Sequence, residues 1–509
     1  MIRVYSPRAS QLLDLACIEA GISEQRLIQQ ASTSASAILR EILQDVERQC
    51  NMKPRLVFFC GPGNNGADGL TMASMLTSEY EVVVVQPSQD GRRSPGNMQA
   101  CASLAPQVRK ISLHEFAELN LQKHDVIIDA LLGCGATLPL RDAIREHTRV
   151  VKESRADVVA IDIPTGLDAL TGEVDPDGVV CSHSISMAGP KPGMLRGLGR
   201  AYCGRVHVAD IGAPETLTER MSDGCILDEV DLSMMLPTRT ASSSKFDYGH
   251  VTVIGGSLGM RGAPSMTAHA AIALGAGMVE LLTPSVHPLT PREIMTWTLP
   301  HHDDGTISHD SLTIISERLR RATVVALGPG LGSNPRTIAM LSEVIGRLPS
   351  HVTLVLDADG LRCLASIDTV GCRLVLTPHM GELARLLGKS REDLAVNYVE
   401  HAQALAKRYD AIVHIKHVPP TTVTSSHATY LQRGNAALAS AGAGDVLTGI
   451  VASLVAQGMT AYDAARCGAW LHADAADTLV GMYGKTSIMA TELIEPAARR
   501  RGLLTASRY

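Results

Sequence analysis

Three carboxylates stand where a folded chain can use them. Asp129 ends the apolar run of DVIIDALLGCGATLP, Asp162 ends that of DVVAIDIPTGLD, and Asp445 follows the small residues of LASAGAGDVLTGIVASLVAQG (438–458). A positioned carboxylate moves protons on and off a hydroxyl. Residues 440–444 permit a tight turn, and backbone N–H groups at the start of the following helix can form an anion hole for a transferring phosphoryl group. A second loop of this kind is CGPGNNGADGL (60–70). Its glycines 61, 63 and 66 would let the backbone approach a ligand, and the helix that follows offers N–H groups and positive dipole to a phosphate. A bland reading stands beside each. The loop could be a tight βα turn in which Asn64 and Asn65 take unusual backbone angles. An Asp at a strand end or helix start is often only a cap.

The elements that must position these residues are short β-branched runs. RLVFFC (55–60), EVVVV (81–85), DVIID (125–129), DVVAID (157–162) and RVHVAD (205–210) alternate with helix-like sequence in the first half. HVTVI (250–254), MVELLT (278–283), TVVALG (323–328), TLVLDAD (353–359), RLVLTP (373–378) and AIVHIK (411–416) do so in the second, with Ala-rich helical stretches between several of them. Such alternation predicts two α/β domains, each built on a parallel sheet covered on both faces. Ligands collect at the carboxyl ends of parallel strands, so three polar strand ends of the first half, the loop 60–70, Asp129 and Asp162, can converge on one pocket. Apolar spacing over 20–47 predicts leading helices. The looser, acidic stretch 214–247 reads as linker, and the domains are placed at 1–220 and 221–509.

Composition narrows the function. The chain has 509 residues, 45 % hydrophobic and 19 % charged, with 46 basic and 52 acidic side chains. Aromatics are 3 %, too few for base-stacking platforms, and no basic run marks a nucleic-acid surface. The eleven cysteines form no CxxC pair, which reads as reduced thiols in a cytoplasmic protein. The start of the chain lacks a signal peptide's apolar stretch, and 263–279 is too polar for a membrane span.

GNNGADG, DALLGCG, AIDIPTGLD and SMAGPKPGMLRG resemble the epimerase half of the bifunctional NAD(P)H-hydrate repair enzymes, the YjeF-type N-terminal domain. The resemblance implies a Rossmann-like three-layer fold that interconverts the R and S epimers of hydrated NADH and NADPH. It implies that Asn64, Asn65, Gly66, Ala67 and Asp68, with Gly133, Cys134, Gly135, Ala136, Thr137, Leu138 and Pro139, hold the hydrate. Asp162 would contact it as acid/base, and Asn65, Asp129 and Thr165 would coordinate potassium. Ala67 replaces a glycine usual in the family, which requires a negative φ there. In the leading helix, Ile28, Gln29, Ala31 and Ser32 replace the family's usual residues.

KFDYGHVTVIGGS, ALGPGLG, LDADGL, TPHMGELARLLG and GNAALASAGAGD occur in order over roughly 245–450. They are similar to the ribokinase-like NAD(P)H-hydrate dehydratase domain. That resemblance implies a nucleotide-driven dehydration: the hydrate's hydroxyl is phosphorylated, then phosphate leaves and the dihydronicotinamide is restored. Ala263, Gly332, His379 and Asp445 would contact the hydrate, with Asp445 as base. Lys416, His417, Val418, Pro419, Pro420 and Gly444 would hold the adenine nucleotide, expected to be ADP, with magnesium on its phosphates. His417 stands where the family has glycine, with apparently two extra residues before Thr422, so the loop should follow a path of its own. Homo-oligomerisation is expected by analogy. The alternative is a ribokinase-like small-molecule kinase with a non-catalytic N-terminal binding module.

Overall fold

The computed structural model describes residues 1–87, 93–154, 156–484 and 486–506. It forms two compact units, Ile2–Cys225 and Ile226–Tyr509, with Met1 grouped with the second. The stretch expected as linker is structured instead. Helices Glu215–Met221 and Glu229–Met235 flank the short strand Gly224–Ile226. Two of its acidic residues form a cap: the Asp228 carboxylate accepts from the Asp231 N–H at 2.9 Å and the Asp231 carboxylate from the Asp228 N–H at 3.1 Å. That reciprocal pair satisfies a helix start and mimics loop composition in the sequence.

In the first unit a seven-stranded sheet runs, edge to edge, through Arg109–Ile111, Val82–Val85, Leu56–Cys60, Val126–Ala130, Asp157–Ile161, His183–Met187 and Arg205–Ala209. Every neighbouring pair is parallel. Side chains alternate between two covered faces: Leu56, Phe58 and Cys60 enter one core layer, Val57 and Phe59 the other. The chain reverses its direction of travel across the sheet between Leu56–Cys60 and Val126–Ala130. Loops leaving those two strands diverge and open a crevice. The strand His183–Met187 has no apolar signature, because Ser184 and Ser186 are buried with their hydroxyls donating to the carbonyls of Cys203 and Gly189. Two leading helices, Pro7–Glu19 and Glu24–Cys50, start from the side-chain caps Ser6 and Ser23; the second fills most of the stretch 20–47 and the first lies ahead of it.

The second unit orders its strands Met295–Thr298, Met278–Thr283, His250–Ile254, Val324–Leu327, Thr353–Leu356, Arg373–Leu376 and Ala411–Ile415, all parallel. Antiparallel strands Thr421–Val423 and Ala428–Tyr430 continue it. Ala-rich helices Gly262–Ala273, Ala443–Ala456 and Ala461–Tyr483 build its main core with buried Trp470. The first two approach so closely that a Cβ at Gly449 would lie 2.1 Å from the Thr267 carbonyl oxygen. Among the described residues no helix is long and apolar enough to cross a membrane. All eleven cysteines are free thiols.

Candidate functional sites

The crevice of the first unit opens into a cavity of about 1020 Å³. Asn64, Asn65 and Asp68 line it from the helix Asn64–Leu76, Gly133–Thr137 from the loop after Val126–Ala130, and Asp162 from the next strand end. Leu138 and Pro139 continue that loop through a cis peptide bond. Asn64 and Asn65 take ordinary helical angles, so the strained-turn reading of this loop fails. Ala67 sits inside the helix, fully buried, where alanine is at ease. Two of the three glycines serve chain packing and not ligand approach. A Cβ at Gly61 would meet the Leu131 carbonyl at 1.8 Å and one at Gly66 the Gly61 carbonyl at 1.9 Å, whereas one at Gly63 meets nothing.

Asp162 takes φ +68°, a left-handed conformation uncommon outside glycine. Its Oδ1 lies 2.5 Å from the Lys191 ammonium, and its Oδ2 accepts from the Cys134 N–H at 2.9 Å. Burial would push this carboxyl up, but Lys191 and the Cys134 N–H outweigh it and hold it below the usual range. Lys191 is itself 1 % exposed, donating also to the Ser186 hydroxyl and to the carbonyls of Met187 and Gly189. Ala188, between those carbonyls, is a second non-glycine residue at positive φ. Strain at two adjoining positions of one cavity marks a site that the surrounding fold over-determines. The motif reading quoted SMAGPKPGM without assigning Lys191. Its one signal there is a lysine between two prolines in an otherwise uncharged, buried stretch.

Asp129 and Thr165 meet beneath this cavity. One Asp129 oxygen accepts the Thr165 hydroxyl and the other the Thr165 N–H, each at 2.7 Å. Burial pushes the Asp129 carboxyl up despite these donors. Asn65 differs: both side-chain atoms are buried without a hydrogen-bond partner. A Cβ at Gly133 would lie 3.1 Å from Asp162 Oδ2 and 3.2 Å from the Asn65 Cβ, so the loop brings these two residues face to face.

In the second unit the residues gather at the carboxyl ends of the strands. Asp357, just past Thr353–Leu356 and 1 % exposed, accepts from Lys416 Nζ at 2.5 Å and from the Thr448 hydroxyl at 2.7 Å. Lys416 thereby sits over the first turn of Ala443–Ala456, where a Cβ at Gly444 would come within 3.0 Å of its Nζ. Glu382 Oε2 is 3.9 Å from the same ammonium. Gly442, at φ +89°, is the residue that caps this helix; Asp445 lies in the first turn without capping it, so the N-cap reading fails. Burial, then the Asp357 carboxylate, push the Asp445 carboxyl up to about 7 against the pull of Lys416.

His379 caps the helix Met380–Leu387. Its Nδ1 accepts the N–H groups of Gly381 and Glu382, which leaves the proton on Nε2, and its side chain is 49 % exposed. Ala263 is tied to the first turn of Ala443–Ala456 through Thr267, whose hydroxyl reaches both the Ala263 and Asp445 carbonyls. Gly332, at φ +80°, donates its N–H to Asp359. The loop Lys416–Pro420 bridges the antiparallel partners Ile415 and Thr421. His417 packs edge-on to Tyr398, and Val418 is exposed beside a cis bond to Pro419. Asp357 and Thr448 were not assigned from the sequence. Asp357 had the same signal as Asp129 and Asp162, a carboxylate ending an apolar strand.

Comparison with known proteins agrees with this geometry. A family profile described as NAD(P)H-hydrate dehydratase matches residues 251–499, and one described as YjeF-related protein N-terminus matches 24–193. A bifunctional NAD(P)H-hydrate repair enzyme of Moorella thermoacetica is 34 % identical over 464 residues, 87 % of this chain and 86 % of that protein. One from Coxiella burnetii is 32 % identical over 97 % of this chain and 98 % of its own. A ribokinase-like superfamily protein of Enterococcus faecalis, 22 % identical, shares the fold of the second unit with a TM-score of 0.50, covering 55 % of this chain and 96 % of that one. With two units in this order and relatives matched nearly end to end, the chain belongs to the family of bifunctional NAD(P)H-hydrate repair enzymes.

Proposed function

We propose that the first unit epimerises hydrated NADH and NADPH and that the second dehydrates the S epimer at the expense of ADP, releasing AMP and phosphate. The observation that carries it is the presence, in one chain, of two carboxylate-bearing strand-end sites of opposite electrostatic character. Asp162 is held as an anion in a large cavity, suited to stabilising positive charge on a nicotinamide ring. Asp445 is poised near neutrality beside an anion hole, suited to taking the proton of an attacking hydroxyl. Hydroxide is a poor leaving group and phosphate a better one, which gives the nucleotide its purpose. Lys416 and the N–H groups at Gly444 and Asp445 would bear on the transferring phosphoryl group, so this step is mostly positioning and charge stabilisation. His379 Nε2–H, half exposed at the same edge, would donate to the hydrate.

Two cations belong to this reading. The partnerless amide of Asn65 and the oxygens of Asp129 and Thr165 are hard donors of the kind potassium takes, and those three residues would hold it. The cation would supply charge near the hydrate. Around Lys416, the carboxylates of Asp357, Glu382 and Asp445 exceed the one ammonium among them, which fits magnesium entering with the nucleotide's phosphates. Glu382 would be the carboxylate facing it, and it would neutralise phosphate charge. Domain limits near 220, a cytoplasmic location and self-association complete the proposal; they rest on family likeness.

The test mixes the protein with R and S NADH hydrate, magnesium, potassium and either ADP or ATP, and follows absorbance of the reduced nicotinamide. Recovery of both epimers with ADP is expected. Recovery of one epimer alone removes the epimerase assignment, and no recovery with either nucleotide returns the small-molecule kinase to the front.

A further inference from the structure

We propose that Asp68 is the proton donor of the first unit's site, working opposite an Asp162 that Lys191 keeps as an anion. The inference rests on the epimerase reading of that unit. Asp68 and Asp162 line one cavity, yet their surroundings differ in kind. The ammonium in contact with Asp162 is fully committed: Lys191 shares its two remaining protons among the Ser186 hydroxyl and the Met187 and Gly189 carbonyls. Asp68, 9 % exposed, has only the Ser32 hydroxyl at 3.4 Å, and among the described residues no cation pairs with it. Other charged groups facing the cavity are Asp14, on the leading helix Pro7–Glu19, and Glu24, both acidic, and Arg93 and Arg141. Arg93 donates to Asn97. Two carboxyls sharing a cavity with one committed ammonium do not both ionise easily. Burial first, then the Asp162 charge, push the Asp68 carboxyl well up, with Asp14 adding to the effect.

The chemistry closes on these two groups. Asp68 gives its proton to the C6 hydroxyl oxygen of the hydrate. The C6–O bond breaks with its electron pair on the departing water, and the ring-nitrogen lone pair forms a C=N bond. The positive charge this creates faces the Asp162 carboxylate. Water adds to the opposite face, the C=N pair returns to nitrogen, the surplus proton of the added water passes to solvent, and the Asp68 carboxylate regains a proton from solvent through the open cavity. One water leaves and one enters, so only the configuration at C6 changes.

The experiment follows R/S exchange of NADH hydrate by the full-length protein without nucleotide, so that dehydration is silent. The wild-type kcat should fall on the alkaline side as Asp68 ionises. Asp68→Asn keeps the shape and neutrality of the protonated acid and still accepts from Ser32. It should lose kcat by a factor on the order of 10² or more, with KM little changed and no alkaline fall in what remains. Near-normal kcat, or an alkaline limb that survives the substitution, overturns the proposal. Carboxyl carbon resonances of aspartate-labelled wild-type protein provide a second reading. A neutral Asp68 at pH 7 is expected, and an ionised one overturns the assignment. Wild-type protein inactive in exchange at every pH sinks the epimerase reading and the donor role with it, an outcome distinct from failure of the variant alone.

Discussion

At the residue scale, each site works through carboxylates whose proton affinities are set by what surrounds them. Asp445 illustrates the sign. Its carboxyl, raised to about 7, acts as base only when ionised, so hydrate-to-NADH conversion should rise with pH through neutrality. Asp357→Asn removes a charge that opposes that ionisation, so the acid limb should move to lower pH even as kcat falls with the loosening of Lys416. A pH profile of kcat/KM measures both, and a limb moving upward would refute the arrangement. The Lys191–Asp162 pair makes a different prediction. Removing one partner of a buried ion pair strands the other charge, at about 3–5 kcal/mol. Lys191→Met should therefore destabilise the first unit by roughly that amount, while the double variant with Asp162→Asn should recover part of the loss. Urea titration of the three proteins checks this coupling.

At the element scale, most of what positions these residues was legible because parallel strands buried on both faces write themselves as unbroken apolar runs. DVIID and DVVAID gave their strands and the carboxylates at the ends together. What escaped was polar sequence doing structural work. His183–Met187 hides buried serines satisfied by nearby carbonyls, and the Asp228–Asp231 caps made a helical segment look like linker. Lys191 escaped because periodicity carries no information on an ion pair closed by residues 29 positions apart. Position 67 was legible only as a question about φ, answered by the helix Asn64–Leu76. Reverting it with Ala67→Gly should leave epimerisation intact and lower stability by about 1 kcal/mol, the usual penalty of glycine in a helix interior. Loss of stability without loss of kcat is the expected result; faster epimerisation would show that the alanine impairs the site.

At the scale of the whole molecule, each unit has its own core and its own strand-end site. The site residues of the epimerase reading come from Ile2–Cys225 and those of the dehydratase reading from Ile226–Tyr509. No side chain of either set is borrowed from the other unit, which makes the two activities separable within an intact chain. Asp162→Asn in the full-length protein should leave dehydration of the S epimer at its wild-type rate. A mixture of epimers should then give a fast phase of NADH recovery ending when S is exhausted, followed by a slow phase paced by uncatalysed interconversion of R. Asp445→Asn should do the reverse, equilibrating the epimers while restoring almost no NADH, and a mixture of the two variants should recover both epimers in full. If the mixture remained biphasic while the wild-type chain was monophasic, the two sites would have to be coupled within one molecule, and independent action of the units would be the wrong account of why they share a chain.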